Sequence, residues 1–109
     1  MSLLEHPTSV LAPAVSTASV DALLVSVAEG DHDAFVALQS RMVGLVRVNV
    51  RRVVRDASRC EAVTRETFAE VLEEAIHFDP DRDNALTWLL LRAHRHATDG
   101  LRTDQRQKA

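Results

Sequence analysis

The sequence is poor in the residues that interrupt helices. It has three glycines and three prolines in 109 residues, and aromatic side chains make up 4% of it. No long stretch alternates apolar and polar residues at the period of two that a half-buried strand requires. Since Ala, Leu, Glu and Arg are abundant, these absences predict an all-α protein. A chain of this length has room for one small domain.

Other absences bear on location and chemistry. Cys60 is the single cysteine, so no internal disulfide can form. No apolar run approaches the roughly 18 residues that would span a bilayer. The opening MSLLEHPTSV lacks the basic start of a signal peptide. We therefore expect a cytoplasmic protein without a membrane span.

The sequence also lacks the signatures of common catalytic sites. No Ser or Cys comes with a plausible base, and no glycine-rich phosphate loop is present. The spacing E-x-x-H of di-iron bundles occurs at Glu74–His77 and Glu29–His32, but the second pair spans a Gly-Asp break. We expect no enzyme activity, cofactor or metal, and a small di-metal bundle is a minor alternative.

Charge is segregated along the chain, although the net charge is only -3. Residues 41–60 hold six arginines and one acid, whereas residues 61–81 hold seven acids and one arginine. Such blocks either create local fields for different partners or are the solvated faces of ordinary helices.

Periodicity and polarity divide the chain into an N-terminal tail, a domain and a C-terminal tail. Residues 1–19 lack periodicity and predict a flexible N-terminal tail, residues 20–103 a helical domain, and residues 104–109 a polar C-terminal tail. In the domain, Asp21 is expected to cap a short helix that Gly30 ends.

Three longer helices are predicted after the short one. Asp31 or Asp33 begins the second, which runs through FVALQSRMVGLVRVNVRRVVR. The S-x-x-E spacing of Ser58 and Glu61 predicts a capping box for the third. Its predicted apolar stripe consists of Phe68, Val71, Leu72, Ala75 and Ile76.

The last helix follows a loop, FDPDRDN, at residues 78–84, with Asn84 as its cap, and is predicted to end near Leu101. At about 100° per residue, one side is apolar. Trp88 falls on the other side, in a row with basic residues. The predicted core face is Leu86, Leu89, Leu90, Ala93, Ala97 and Leu101, and the outward row is Trp88, Arg92, Arg95, Asp99 and Arg102, flanked by His96.

The position of Trp88 leaves two interpretations open. An exposed indole among guanidinium groups suits single-stranded nucleic acid, because aromatic rings stack on bases and arginines meet phosphates. Alternatively, a fourth helix covers Trp88, and Arg92 stacks over it in a cation–π contact.

The stretches CEAVTRETFAEVLEEA and FDPDRDNALTWLLLRAHRHATDGLR resemble region 2 of extracytoplasmic-function (ECF) sigma factors, the specificity subunits of bacterial RNA polymerase. The family pattern is D-L-V-Q-E-V-F, a D-P loop, then W-L-x-x-I-A-R-N and D-x-x-R. DALLVSVAEGDHDAF also resembles the family's entry helix and G-D-x-x-A-F. The resemblance covers residues 20–103 and implies a sigma region 2-like bundle of one short and three longer helices.

The resemblance also implies partners. The third helix would bind the clamp helices of the largest subunit of core RNA polymerase, and the loop and last helix would recognise and melt the promoter -10 element and hold its single-stranded non-template strand. An anti-sigma factor is a further implied partner. The implied polymerase-binding residues are Arg65, Glu66 and Glu70, and the implied DNA-binding residues are Phe78, Asp81, Arg82, Asn84, Trp88, Arg92, Arg95, His96 and Arg102.

The sequence departs from the family pattern at three positions, and the first two motivate an alternative function. Ala62 and Arg65 replace the aspartate and glutamine of D-L-V-Q-E, and His96 replaces the asparagine of A-R-N. The alternative is a diverged module that binds an anti-sigma factor, a separate region 4 protein or a second copy of itself, without promoter recognition. The sequence ends at Ala109 before any region 4 helix-turn-helix, which fits either a fragment or a single-domain relative.

Overall fold

The fold is a bundle of helices, as a computed structural model shows. It describes the backbone of residues 18–108 and the side chains of residues 18–102. Most of the predicted N-terminal tail therefore lies outside the described residues. The elements are α1 (Val20–Ala28), α2 (His32–Arg51), α3 (Ala57–Glu74), a 3-10 turn (Ala75–His77) and α4 (Ala85–Lys108). The prediction of an all-α bundle with one short and three longer helices is confirmed.

The helices begin at short polar side chains that accept backbone N–H groups. Ser19, not Asp21, caps α1, because its hydroxyl oxygen accepts the N–H of Ala22 at 3.0 Å. Asp31 caps α2 as predicted. Between them, Gly30 has a φ of 92°, a left-handed conformation that suits glycine and ends α1.

The predicted capping box of α3 is wrong in register. Asp56 caps this helix, and its Oδ2 accepts both the Ser58 hydroxyl and the Arg59 N–H at 2.8 Å. Since an ionised carboxylate is a stronger acceptor than a hydroxyl, Asp56 takes the cap and Ser58 becomes its donor. Two hydrogen bonds, from Ser58 first and then from Arg59, hold the pKa of Asp56 below its ordinary value.

Asp21 has a different task from the predicted cap. Its Oδ1 accepts the N–H of Ala85, the first residue of α4, at 2.7 Å. Asn84 also caps α4, as predicted, by accepting the N–H of Thr87 at 3.1 Å. A side chain from α1 thus fixes the beginning of α4, which lies 64 residues further along the chain.

Two helix ends differ from their predicted positions. α2 ends at Arg51, so the predicted extension through Arg55 is a turn instead. α4 continues to Lys108, past the predicted end near Leu101 and through most of the expected polar tail. Arg, Gln and Lys are good helix formers, and propensity carries α4 beyond its buried part.

The core lies between all four helices, each of which contacts the other three. Thr64 and Thr67 are buried on α3, and each hydroxyl donates at 2.8 Å to the carbonyl four residues earlier, so neither polar group is left unsatisfied. None of the described helices combines the length and the apolarity needed to cross a membrane. The largest fully buried apolar side chains are Leu24, Leu38, Leu89, Val46, Val50, Val63 and Val71.

Some residues predicted to be in the core lie at the surface. On α3 and the 3-10 turn, Leu72 is 51% and Ile76 67% exposed, and on α4 Leu86 is 41% and Leu101 36% exposed. Helical periodicity defines a wide stripe, but neighbouring helices cover only its centre. The stripe edges remain uncovered.

Candidate nucleic-acid interface

Trp88 is buried, so the first of the two interpretations, an exposed indole, is wrong. Its exposed fraction is 7%, and the ring of Phe78 meets it edge to face at a centroid distance of 5.8 Å. The guanidinium carbon of Arg92 lies 3.6 Å from the centre of the indole ring. The structure agrees with the second interpretation in the covered ring and the stacked Arg92, but Phe78 after the 3-10 turn, rather than a helix, supplies the cover.

The cover comes from segments that a helical projection of α4 does not include. Phe78 follows the 3-10 turn, is itself only 7% exposed, and reaches back over the first turn of α4. Arg92 is one turn beyond Trp88 and also donates from Nη1 to its carbonyl at 3.3 Å. Phe78 and Arg92 therefore cover Trp88, although it lies outside the apolar stripe that contains Leu89.

Glu70 on α3 contacts Arg92, Arg95 and His96 on α4. Its Oε2 lies 3.1 Å from Arg92 Nε and accepts a hydrogen bond from Arg95. Its Oε1 lies 2.6 Å from His96 Nε2. The Glu70 side chain is only 18% exposed, so these contacts are partly shielded from water. The Arg92 contact is an ion pair, and its N–H is not aligned for a hydrogen bond.

The charges in this cluster respond to burial and to one another. Burial acts to raise the pKa of Glu70, but the Arg95 and His96 hydrogen bonds outweigh it and hold that pKa below its ordinary value. Burial lowers the pKa of Arg92, despite its proximity to Glu70. The hydrogen bond to Glu70 raises the pKa of Arg95. Because ionised Glu70 can only accept, His96 Nε2 carries the hydrogen between them.

This cluster unites residues that the sequence resemblance divides between two surfaces. Glu70 is an implied polymerase-binding residue, and Arg92, Arg95 and His96 are implied DNA-binding residues. Glu66 also approaches, with its Oε1 3.9 Å from His96 Nδ1. The two predicted surfaces are therefore adjoining sides of one α3–α4 interface, and Glu70 faces α4.

Other predicted site residues remain accessible. Asp81, Arg82 and Asn84 are exposed in the loop before α4. The Arg95 side chain is 55% and that of Arg102 68% exposed. Hydrogen bonds to Asp79 order the loop. The backbone carbonyl of Asp79 accepts the N–H groups of residues 82 and 83 at 3.0 and 2.8 Å.

On α3, Arg65 is exposed and Glu66 has a side chain 60% exposed. Ala62 lines a groove between α3 and α4 of about 270 Å³, together with Glu66 and His96. Within the part of the chain that the structure describes, no group of three or more His, Cys, Asp or Glu is placed to hold a metal ion.

Two structural roles were missed from the sequence. The matching of the acidic α3 block with the basic α4 row was a signal for the Glu70 cluster, because opposite charges on two helices favour contact. No local signal identifies Asp21 as an acceptor for α4, since that bond joins residues 64 positions apart.

The comparisons agree with the sequence resemblance. The family model described as Sigma-70 region 2 matches residues 38–107. Among similar proteins is the ECF RNA polymerase sigma factor SigK of Mycolicibacterium vanbaalenii, 39% identical over 82% of this chain and 45% of the relative. That of Mycobacterium bovis is 41% identical over 82% of this chain and 48% of the relative.

A third relative, SigK of Mycobacterium ulcerans, is 38% identical over 79% of this chain and 46% of its own length. The chain thus spans about half the length of the curated relatives it matches. No solved structure matches it significantly.

The burial of Trp88 predicts a structural effect of its removal. Trp88→Ala should lower the free energy of unfolding by about 3–5 kcal/mol, because it leaves a large cavity under Phe78 and Arg92. Denaturant unfolding followed by circular dichroism measures this. Trp88→Phe, which keeps an aromatic ring, is the control and should lose less. A loss below about 1 kcal/mol for the alanine variant would mean that the indole lies in water.

The Glu70 cluster predicts a pH-dependent contribution to stability. At pH 7, Glu70→Gln should lower the free energy of unfolding by about 1–3 kcal/mol, because it leaves partly buried cations without their anion. Glu66→Gln is the control on the same helix and should cost about 0.5 kcal/mol or less.

The sign of the pH effect follows from the lowered pKa of Glu70. Its stabilisation is present above the unfolded pKa of about 4.3 and is lost as the pH falls through the lower folded pKa. The difference between wild type and Glu70→Gln should therefore be full at pH 7 and shrink below about pH 4. A difference that stays constant down to pH 3 contradicts an ionised Glu70.

Proposed function

The chain belongs to the sigma-70 region 2 family, and we propose that it acts as the region 2 module of an ECF-type sigma factor in transcription initiation. In this role it binds core RNA polymerase and recognises and melts the promoter -10 element. The observation that carries the proposal is the family match over residues 38–107, which includes the loop and most of the helices. The SigK relatives, which are named as sigma factors, support it.

The exposed loop and the outward side of α4 form the proposed DNA surface. Arg82 and Asn84 offer donors to bases and phosphates, and Arg95 keeps half of its side chain in water while it binds Glu70. Arg102 extends the surface along the helix. Since Asp79 already orders the loop, little conformational entropy is lost when a strand binds.

Phe78 and Trp88 act beneath this surface rather than on it. Their edge-to-face pair fixes the loop against the first turn of α4, and Arg92 closes the pair from above. We propose that they set the positions of Arg82 and Arg95, and that a flipped base contacts the loop above the aromatic pair. His96 holds α4 to α3 and contributes indirectly.

The outer face of α3 is the proposed polymerase surface. Arg65 and Glu66 are exposed there, and Leu72, seven residues beyond Arg65, lies on the same side of the helix and is 51% exposed. An apolar side chain among charged ones suits a protein partner. Because Glu70 faces α4, its proposed contribution to polymerase binding is to hold α4 in place.

A specific observation favours a second candidate function. Arg65 adds a positive charge to α3, and Glu70 is occupied by α4, so the acidic surface expected for the clamp helices is reduced. A diverged module that binds an anti-sigma factor, a separate region 4 protein or a second copy of itself would tolerate both features. Recovery of stoichiometric polymerase in a pull-down from the native cell counts against this candidate.

The first proposal predicts the effects of removing exposed cations. With core polymerase present, the chain should bind a labelled non-template -10 oligonucleotide. Arg82→Gln and Arg95→Gln should each weaken binding roughly tenfold, the effect of removing about 1.4 kcal/mol of one arginine's binding free energy. Fluorescence anisotropy titrations measure the affinities.

Arg41→Gln on α2 is the charge-matched control. Arg41 is exposed, donates to the Ala18 carbonyl and is not one of the proposed DNA-binding residues, so its loss should leave binding unchanged. The proposal fails if wild type does not bind the oligonucleotide, or if all three variants bind it like wild type.

A further inference from the structure

The described arginines differ in whether they find an anion within the protein. Arg47 Nε lies 2.9 Å from Glu61, and Arg92 and Arg95 both reach Glu70. The guanidinium groups of other arginines make no hydrogen bond or ion pair with any described residue. Three of them lie within five positions of one another, at the end of α2 and in the turn before α3; these are Arg51, Arg52 and Arg55, here called the turn arginines.

The acids that follow the turn arginines in the sequence contact other groups. Asp56 accepts the Ser58 hydroxyl and the Arg59 N–H, and Glu61 binds Arg47 from both Nε and Nη2. The turn arginines therefore keep their full charge toward solvent, although the whole chain is acidic. Arg51, Arg52 and Arg55 are exposed.

A cavity lies among these cations. It measures about 310 Å³ and is lined by Arg51 and Arg55 above the apolar side chains of Val54, Ala57 and Cys60. The lining residues include two arginines and no acid. The cavity therefore suits an anionic group that carries bulky substituents, such as a phosphodiester.

The turn lies at the far end of the α3–α4 pair from the loop before α4. The two helices run antiparallel, since Glu70 contacts Arg92 and Arg95, whereas Val63, nearer the start of α3, lies beside Gly100. The 18 residues of α3 span about 27 Å at about 1.5 Å per residue. This length corresponds to about eight nucleotides of a DNA strand at about 3.4 Å each.

We propose that the turn arginines form a second DNA contact, which binds the phosphates of duplex DNA adjoining the single strand held by the loop. This inference rests on the proposed function. Single-strand sites combine cations with aromatic rings that stack on bases, but residues 51–59 contain no aromatic side chain. Arginines without aromatic neighbours match the backbone contacts of duplex DNA, which presents about twice the charge density along its axis.

The test compares two DNAs on the complex of the chain with core polymerase. One is a fork in which duplex adjoins the single-stranded non-template -10 segment, and the other is that single strand alone. The variant Arg51→Gln/Arg52→Gln/Arg55→Gln should bind the single strand like wild type. On the fork its salt slope should be smaller by about 2.7, or about 0.9 for each phosphate that the variant no longer neutralises. Between 50 and 200 mM salt its affinity should therefore fall about 40-fold less than that of wild type.

Replacement of all three by lysine is the matched control and should keep the wild-type slope, because positive charge, rather than the planar geometry of the guanidinium group, drives the contact. Both triple variants should melt at the wild-type temperature, since the three side chains are exposed.

The outcomes separate this inference from the proposed function. If wild type binds neither DNA, the proposed function is wrong and the inference with it. If wild type binds both and the glutamine variant has the wild-type slope on the fork, only the inference is wrong. The same holds if the glutamine variant loses affinity for polymerase while the slope is unchanged, because the turn arginines then serve a protein partner.

Discussion

The contact between the Glu70 carboxylate and the cations of α4 determines how the two functional helices are arranged. Three cationic or polar side chains converge on one carboxylate that is only 18% exposed, where electrostatic contacts are stronger than in water. This holds Arg92 over Trp88, which in turn packs on Phe78. The position of the loop before α4 follows from that stack.

This arrangement connects the two proposed surfaces. α3 presents Arg65 and Glu66 on the proposed polymerase surface, and through Glu70 the same helix contacts Arg95 on the proposed DNA surface. In the proposed function, the Glu70 carboxylate lies between the polymerase-binding and DNA-binding surfaces.

Much of the fold was predictable because it depends on local signals. The helix count, the Asp31 and Asn84 caps and the Gly30 stop follow from propensity and capping. The environment of Trp88 was not predictable, because Phe78 and Arg92 cover the ring. The Arg92 side chain could equally have pointed into solvent, and its position depends on contacts with the indole and with Glu70. For the site, the predicted binding residues stay a prediction, and the division between accessible and buried groups depends on tertiary contacts that periodicity within one helix does not include.

The most direct measurement of the central claim is a double-mutant cycle between Glu70 and Arg92, with the variants Glu70→Gln and Arg92→Met and their combination. Methionine keeps an apolar stem for the Trp88 ring while it removes the charge. Our account predicts a coupling free energy of about 1–2 kcal/mol from denaturant unfolding at pH 7, in the range of contacting pairs. Additive effects within about 0.3 kcal/mol would contradict the claim that the Glu70 carboxylate holds α4 to α3 through Arg92.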